Sequence, residues 1–147
     1  MTSFSYEHEL IEPVTSYFQK QSFMVCYEIR IGFCRADLIA YNTETVIAVE
    51  LKLSDWKKAV VQAKNYQLGA EFVYIAFPLK KSYLVMRKAE NTLKKERIGL
   101  LVIDEETREV RTIVFAKQSK RCLGVLKIAE IQRQKRRRFR QSLLRSF

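Results

Sequence analysis

The sequence is poor in the side chains that build most zinc sites. It contains one histidine, His8, and three widely spaced cysteines, Cys26, Cys34 and Cys122. A structural zinc site needs about four such ligands at short spacings, so no zinc site is expected. We interpret the cysteines as buried thiols and His8 as a surface or helix-end residue.

Glycine, proline and long apolar runs are also scarce. Four glycines and two prolines occur in 147 residues, and no repeat or low-complexity linker marks a second domain. We therefore predict one domain over residues 1–131, with 132–147 as a basic helical tail of the same unit. No uninterrupted run of about 18 apolar residues is present, and the N-terminus lacks a basic segment leading into an apolar run. These absences predict a soluble, cytoplasmic protein without a membrane partner.

Positive charge is abundant and unevenly distributed. The formal net charge is +11, which favours a polyanionic partner, most often nucleic acid. The last fifteen residues, from Arg133 onward, contain seven Lys or Arg and no acid, which leaves about +4 for the rest (11 − 7). Six of these side chains are predicted to contact phosphates: Arg133, Lys135, Arg136, Arg137, Arg138 and Arg140.

The apolar residues of the tail have two interpretations. Phe139 could stack on a base. The favoured interpretation is that Phe139, Leu143, Leu144 and Phe147 pack the terminal helix onto the body.

Periodicity predicts the order α-β-β-β-α-β for the first half of the chain. The helix over 6–21 contains Pro13, which either kinks it or lies early in a helix that begins near Glu12. Because a helix connects the third and fourth strands, the right-handed crossover rule makes those strands parallel. The predicted strands are 23–31, 34–41, 46–53 and 71–77, and the second helix runs from Ser54 and Asp55 to about Leu68, with Gly69 as its cap.

The second half is predicted to add a helix, a strand pair and a terminal helix. The helix covers about 83–96, the strands 98–103 and 109–115, and the last helix begins near 127. The fold class is therefore α/β, with a mixed sheet and a basic helix at the C-terminus.

Two strands bring chemistry-bearing side chains together. Alternation along the third strand places Glu50 and Lys52 on one face, at the end of a run otherwise suited to burial. If the turn Asn42–Thr45 is centred between its two middle residues, Asp37 pairs directly with Glu50. Two carboxylates at this distance repel one another unless a proton or a cation lies between them, and Mg²⁺ or Mn²⁺ prefers such oxygen ligands. A slip of one residue would remove the pairing.

The stretch from Glu7 to Tyr66 resembles the PD-(D/E)XK, or restriction-endonuclease-like, nuclease superfamily. Asp37 matches the first acid, and Glu50-Leu51-Lys52 matches the E-x-K element, although Ala36 replaces the proline of the family name. The family's αβββαβ core is the order predicted above. The segment SYEHELIEPV and the basic C-terminus further resemble an uncharacterised bacterial branch of these phosphodiesterases.

The resemblance implies a set of roles. Asp37, Glu50, the Leu51 carbonyl and Glu7 would hold one or two Mg²⁺ or Mn²⁺ ions, and Glu9 and Glu12 compete with Glu7 for the place of the extra acid. Lys52 would orient the attacking water or offset transition-state charge. Gln62 and Tyr66, four residues apart on one helix face, match a Q-x-x-x-Y pattern and would position Lys52 or a phosphate.

The implied function is Mg²⁺-dependent endonuclease activity on DNA, in repair, recombination or restriction. A rival hypothesis is a nucleic-acid-binding protein that has the same fold but no catalytic activity, because its acids are vestigial. A third is an assembly subunit whose tail binds RNA. The sequence leaves DNA against RNA open, and a homodimer through an exposed sheet edge is one possible oligomeric arrangement.

Overall fold

A six-stranded mixed sheet with helices on both faces forms the protein. The computed structural model describes residues 3–122 and 124–145. The strands follow one another across the sheet in sequence order. After a single 3-10 turn at Glu7–Leu10, the elements are α1 (Ile11–Gln19), β1 (Met24–Ile31), β2 (Cys34–Tyr41), β3 (Val46–Leu51), α2 (Trp56–Tyr66), β4 (Phe72–Pro78), α3 (Leu79–Glu96), β5 (Gly99–Ile103), β6 (Val110–Val114) and α4 (Ile128–Arg145).

The predicted order α-β-β-β-α-β and the mixed sheet are confirmed. β1, β2 and β3 pair antiparallel through short turns, and β5 pairs antiparallel with β6. β3, β4 and β5 are parallel, because α2 and α3 carry the chain back across the sheet between them. In the part of the chain that the structure describes, no helix is both long enough and apolar enough to cross a membrane.

Several element boundaries differ from the prediction. Pro13 is the third residue of α1, in the first turn, where its missing N–H costs no helical hydrogen bond, so it does not kink the helix. β3 ends at Leu51 rather than at residue 53. α2 ends at Tyr66 with Gln67 as its cap, so the assignment of Gly69 as the cap was wrong. Gly69 instead allows close packing, because a Cβ there would lie 2.8 Å from Cγ2 of Ile31.

The two faces of the sheet carry separate apolar cores. Val46 and Ala48 of β3 lie in the core covered by α2 and α3, together with Tyr66. Ile47 and Val49 lie in the core on the α1 side. The predicted alternation of β3 is therefore present, and it sends Glu50 toward α2.

The terminal helix α4 packs against β1 through its first half. Ile131 is fully buried in the core beneath α2 and α3. The Gln134 side-chain amide pairs with the backbone of Arg30, accepting from its N–H at 2.8 Å and donating to its carbonyl at 3.3 Å. Arg138 forms an ion pair with Glu28.

The second half of α4 does not pack as predicted. Phe139 and Leu144 are 65% and 75% exposed, and Leu143 is exposed as well. The prediction that they dock the helix was wrong, because burial of Ile131 and the pairs made by Gln134 and Arg138 already fix it. Phe147, which shared that prediction, lies outside the described residues.

The cysteine prediction holds for one of the three residues. Cys26 is buried, whereas Cys34 and Cys122 are only partly buried, and all three are free thiols. Cys34 begins β2 beside the exposed β1–β2 turn, and Cys122 lies in the loop before α4, so neither is enclosed on all sides. His8 stacks on Tyr6 near the chain start, as expected for a surface residue.

Candidate active site at the point where β2 and β3 part

The register that brings Asp37 to Glu50 is confirmed. Leu38 pairs with Val49 and Tyr41 with Val46, which places Asp37 opposite Glu50. The turn keeps this register because the Asn42 side chain accepts hydrogen bonds from the backbone of Glu44 and Thr45, both at 2.8 Å.

The β2–β3 ladder ends at the two acids. Leu38–Val49 is the last backbone pair, while β3 continues beside β4 as far as Leu51. Beyond that pair, Asp37 Oδ2 accepts a hydrogen bond from the Leu51 N–H at 2.9 Å. The Asp37 side chain thus replaces a backbone partner and is held in place by the strand that carries Glu50.

An irregularity in β1 lies at the same level of the sheet. Glu28 has a φ of +53°, a left-handed conformation unusual for a strand residue, between the pairs Tyr27–Leu38 and Ile29–Ala36. The buried positions of β1 consequently run from Cys26 to Ile29, three residues apart instead of two. Backbone strain of this kind persists only when the surroundings enforce it, and it often accompanies functional sites.

Glu50 is a buried carboxyl in a crowded polar cluster. It is 4% exposed, and Tyr66 Oη donates a hydrogen bond to its Oε1 at 2.7 Å. The Asp37 carboxyl lies within hydrogen-bonding reach, and Lys52 Nζ is 3.6 Å from Glu50 Oε2. Burial, followed by the hydrogen bond and negative charge of Asp37, raises the pKa of Glu50 to about 8. Without a cation, the pair of acids therefore retains a proton near neutral pH.

Lys52 connects this pair to the extra acid from the chain start. Its side chain is only 14% exposed, and Nζ lies 3.9 Å from Glu7 Oε2. The same Glu7 oxygen accepts from the Leu53 N–H at 3.4 Å. Glu9 instead accepts hydrogen bonds from the backbone of residues 5 and 6, and Glu12 lines a different cleft, beside α1. Of the three candidate acids, Glu7 is the one that contacts Lys52.

The second helix contributes one of its two predicted site residues directly. Tyr66 Oη points at both Glu50 and the Arg35 carbonyl, 3.0 Å away. Burial raises the pKa of Tyr66, so the phenol keeps its proton and remains a donor. Gln62 lies one turn earlier and is partly exposed, and its side chain makes no hydrogen bond with the described residues. Its predicted contact with Lys52 is not made.

The donor set is suited to a hard cation that keeps much of its water. Within residues 3–122 and 124–145, no group of three or more His, Cys, Asp or Glu side chains is arranged to hold a metal. Two carboxylates do lie together, and Mg²⁺ is commonly bound by one or two carboxylates plus waters and substrate phosphates. Asp37 and Glu50 fit that mode, and the ligand roles of all four predicted groups stay predictions: Asp37, Glu50, Glu7 and the Leu51 carbonyl.

The six basic residues of the predicted phosphate-binding tail fall into two groups. Arg133 pairs with Glu130 at 2.7 Å, Arg138 pairs with Glu28, and Lys135 lies 5.9 Å from the centre of the Tyr41 ring. These three stabilise the fold locally. The other three are exposed and form no ion pair with the described residues: Arg136, Arg137 and Arg140.

Two further arginines, Arg30 and Arg35, lie beside α4 and were not predicted from the sequence as binding residues. Arg30 and Arg35 line a cleft of about 450 Å³ between the β1–β2 hairpin and α4, together with Arg137. Only the pairing of β1 with β2 and the docking of α4 bring these residues together. The sequence predicted that the terminal helix packs onto the body, but not which residues of the helix make the contact.

Comparison with known proteins supports the fold. No protein-family model and no curated protein matches the chain. Among solved structures, the SPO1766 protein of unknown function from Silicibacter pomeroyi has a TM-score of 0.67 at 16% identity, covering 97% of this chain and 93% of that one. An XisH family protein from Nostoc punctiforme has a TM-score of 0.55 at 19% identity, covering 73% and 98%. An fdxN element excision controlling factor protein from Anabaena variabilis has a TM-score of 0.52 at 22% identity, covering 73% and 97%.

These likenesses support the α/β fold of this chain, a mixed six-stranded sheet with helices. At such identities they show the fold alone.

Proposed function

We propose that this protein is a Mg²⁺-dependent nuclease that hydrolyses phosphodiester bonds in DNA. The observation that carries the proposal is the convergence of Asp37, Glu50 and Lys52 where β2 and β3 part. A structural ion pair requires one acid for one base. Here a second acid lies against the first in a buried site, an arrangement that costs stability unless a ligand compensates for it.

A phosphodiester backbone is the substrate class that the charge distribution favours. The net charge of +11 attracts polyanions, and three exposed arginines of α4 form no ion pair with the described residues: Arg136, Arg137 and Arg140. The XisH family and excision-factor neighbours share the fold, which is compatible with nuclease chemistry.

The residues of the chain would divide the work as follows. Asp37 and Glu50 would hold Mg²⁺, with Asp37 oriented by the Leu51 N–H and Glu50 by the Tyr66 hydroxyl. The ion, when bound, would polarise the phosphate and lower the pKa of an attacking water. Lys52, close to Glu50 and largely shielded from solvent, would offset negative charge on the phosphate in the transition state. Gln62, which has no partner among the described residues, is available to contact a substrate oxygen.

The test is cleavage of single-stranded, duplex and branched DNA, and of RNA, with Mg²⁺, with Mn²⁺ and with EDTA. Lys52→Ala is expected to lower the rate by at least about 100-fold, the cost of removing one group that stabilises transition-state charge. Lys57→Ala is the matched control, because Lys57 is an exposed lysine five residues away. It should retain the wild-type rate.

Binding without cleavage of any substrate, unaffected by metal and by Lys52→Ala, would contradict the proposal. That result would favour a nucleic-acid-binding protein with a nuclease-like fold. Cleavage of RNA alone would keep the chemistry and overturn the assignment of DNA.

A further inference from the structure

A fully exposed phenylalanine occupies the tip of the β1–β2 hairpin. Ile31 pairs with Cys34, so Gly32 and Phe33 form a two-residue turn. Gly32 has a φ of +59°, and glycine adopts this conformation readily at the first position of such turns. Phe33 is 108% exposed, which means that its ring contacts essentially nothing in the protein. The tight turn fixes the backbone position of Phe33, and the exposed ring leaves a large apolar surface in water.

Phe33 and the candidate active site lie at the same end of the sheet, where β2 begins and β3 ends. β2 begins next to Phe33 and reaches Asp37 four residues later, a distance of roughly 13 Å along an extended strand. β3 runs antiparallel to β2, so its last residues, Glu50 and Leu51, lie at the same end of the sheet. Along one DNA strand, with bases stacked at 3.4 Å, that distance corresponds to about four nucleotides.

Unpaired positive charge lies beside the ring. The cleft between the hairpin and α4 reaches Gly32 and is lined by five arginines and two glutamates. Both glutamates are already paired, Glu28 with Arg138 and Glu130 with Arg133. The remaining three arginines form no ion pair with the described residues: Arg30, Arg35 and Arg137.

Two of these arginines oppose each other directly. Arg30 and Arg35 are cross-strand partners in the hairpin, a placement in which like charges destabilise the sheet. A phosphate between them would remove the repulsion, since each guanidinium can donate two hydrogen bonds to an anion.

We propose that the substrate is a nucleic acid with an unpaired base near the scissile phosphate, and that this base stacks on Phe33 while its backbone phosphates occupy the cleft of Arg30, Arg35 and Arg137. The inference rests on the proposed function, since it specifies the substrate of that active site. In a single strand, flap or junction, a base can reach the ring freely. In a continuous duplex, the ring would have to separate stacked bases, which costs a few kcal/mol per step.

The experiment measures binding by fluorescence anisotropy in EDTA, with a labelled single strand, a flap and a continuous duplex. Phe33→Ala should weaken binding to the single strand and the flap by about 5-fold to 150-fold, the range for loss of one aromatic–base stack. Duplex binding should change less than about twofold. Phe33→Trp should retain the affinity, and its added indole fluorescence should be quenched by the single strand.

Phe115→Ala is the matched control. Phe115 is also a highly exposed phenylalanine, 74%, but it follows β6 at the opposite edge of the sheet. Binding of every ligand should match the wild type.

Each alternative result overturns the proposal. Equal losses of binding affinity with Phe33→Ala and Phe115→Ala would show that both rings make only general apolar contacts. Equal losses of affinity for the flap and for the duplex with Phe33→Ala would show that Phe33 does not select an unpaired base. The outcome is independent of cleavage, because EDTA removes the metal. Selective stacking with no Lys52-dependent hydrolysis would therefore reject the nuclease proposal alone, and hydrolysis without selective stacking would reject only the role of Phe33.

Discussion

Replacement of Glu50 by Gln tests the electrostatics of the candidate site without any substrate. Glutamine resembles the protonated carboxyl and keeps an oxygen to accept the Tyr66 hydrogen bond. In the metal-free protein, burial and Asp37 raise the pKa of Glu50 from 4.5 to about 8. In the unfolded chain the same carboxyl ionises near its ordinary value.

The sign of the effect follows from proton binding. Between pH 4.5 and about 8, the folded protein keeps a proton on Glu50 that the unfolded chain releases, so stability falls as the pH rises. The slope approaches about 1.4 kcal/mol per pH unit, and over the whole interval the loss is on the order of 5 kcal/mol. Glu50→Gln has no proton to release. The free energy of unfolding of Glu50→Gln, relative to that of the wild type, should therefore rise by about 2 to 3 kcal/mol between pH 5.5 and pH 7.5.

The assay is urea unfolding in EDTA at pH 5.5, 6.5 and 7.5. Glu105→Gln serves as the control, because Glu105 is equally buried, 4% exposed, but caps the start of α3 by accepting from the Lys80 N–H. It reports the change produced by losing a buried carboxyl elsewhere in the fold. A gap between Glu50→Gln and the wild type that stays constant across the three pH values would refute the reasoning.

Three further predictions concern packing, hydrogen bonding and charge. Tyr66→Phe should lower the free energy of unfolding by about 1 to 3 kcal/mol, since it deprives buried acceptors of their donor, and no loss in urea unfolding would contradict this. Gly99→Ala should lower the free energy of unfolding by about 1 to 3 kcal/mol, because a Cβ there would lie 2.3 Å from the Tyr74 ring and 2.7 Å from a backbone nitrogen. Gly124→Ala is the control in thermal unfolding, because a Cβ there would have no atom within 4 Å. Replacing Arg136, Arg137 and Arg140 by Gln should make the negative slope of log binding constant against log salt shallower by about 2, while the free energy of unfolding stays unchanged. An unaltered slope would exclude phosphate contacts by these three arginines.

The pairing of Asp37 with Glu50 was predictable because two independent constraints agree. The apolar alternation of β3 fixes which residues face α2, and the polar segment Asn42–Thr45 fixes where the chain turns. Asn42 is suited to the turn because its short side chain bonds to the backbone two and three residues ahead. Local chemistry at these positions agrees with the tertiary fold.

The surroundings of the site were not predictable in the same way. The left-handed conformation of Glu28 has no signal in the residue type, because glutamate rarely adopts a positive φ. The contacts of α4 with β1, Gln134 with Arg30 and Arg138 with Glu28, join residues about 100 positions apart. A strongly polar helix carries only a weak pattern for the face it buries. The apolar residues near its C-terminus gave a false signal for docking.

The contact between Gln134 and the backbone of Arg30 bears on how copies of the protein could associate. Its side-chain amide imitates a peptide group and occupies the outward-facing N–H and C=O of the first strand. Addition of a further strand along that border is thereby blocked near the end of β1, at its seventh residue. No such contact by a side-chain amide is found along β6, the strand on the far border, among the described residues. Two molecules joined along β6 would keep their Asp37–Glu50 pairs apart, with β4, β5 and β6 of each molecule between them.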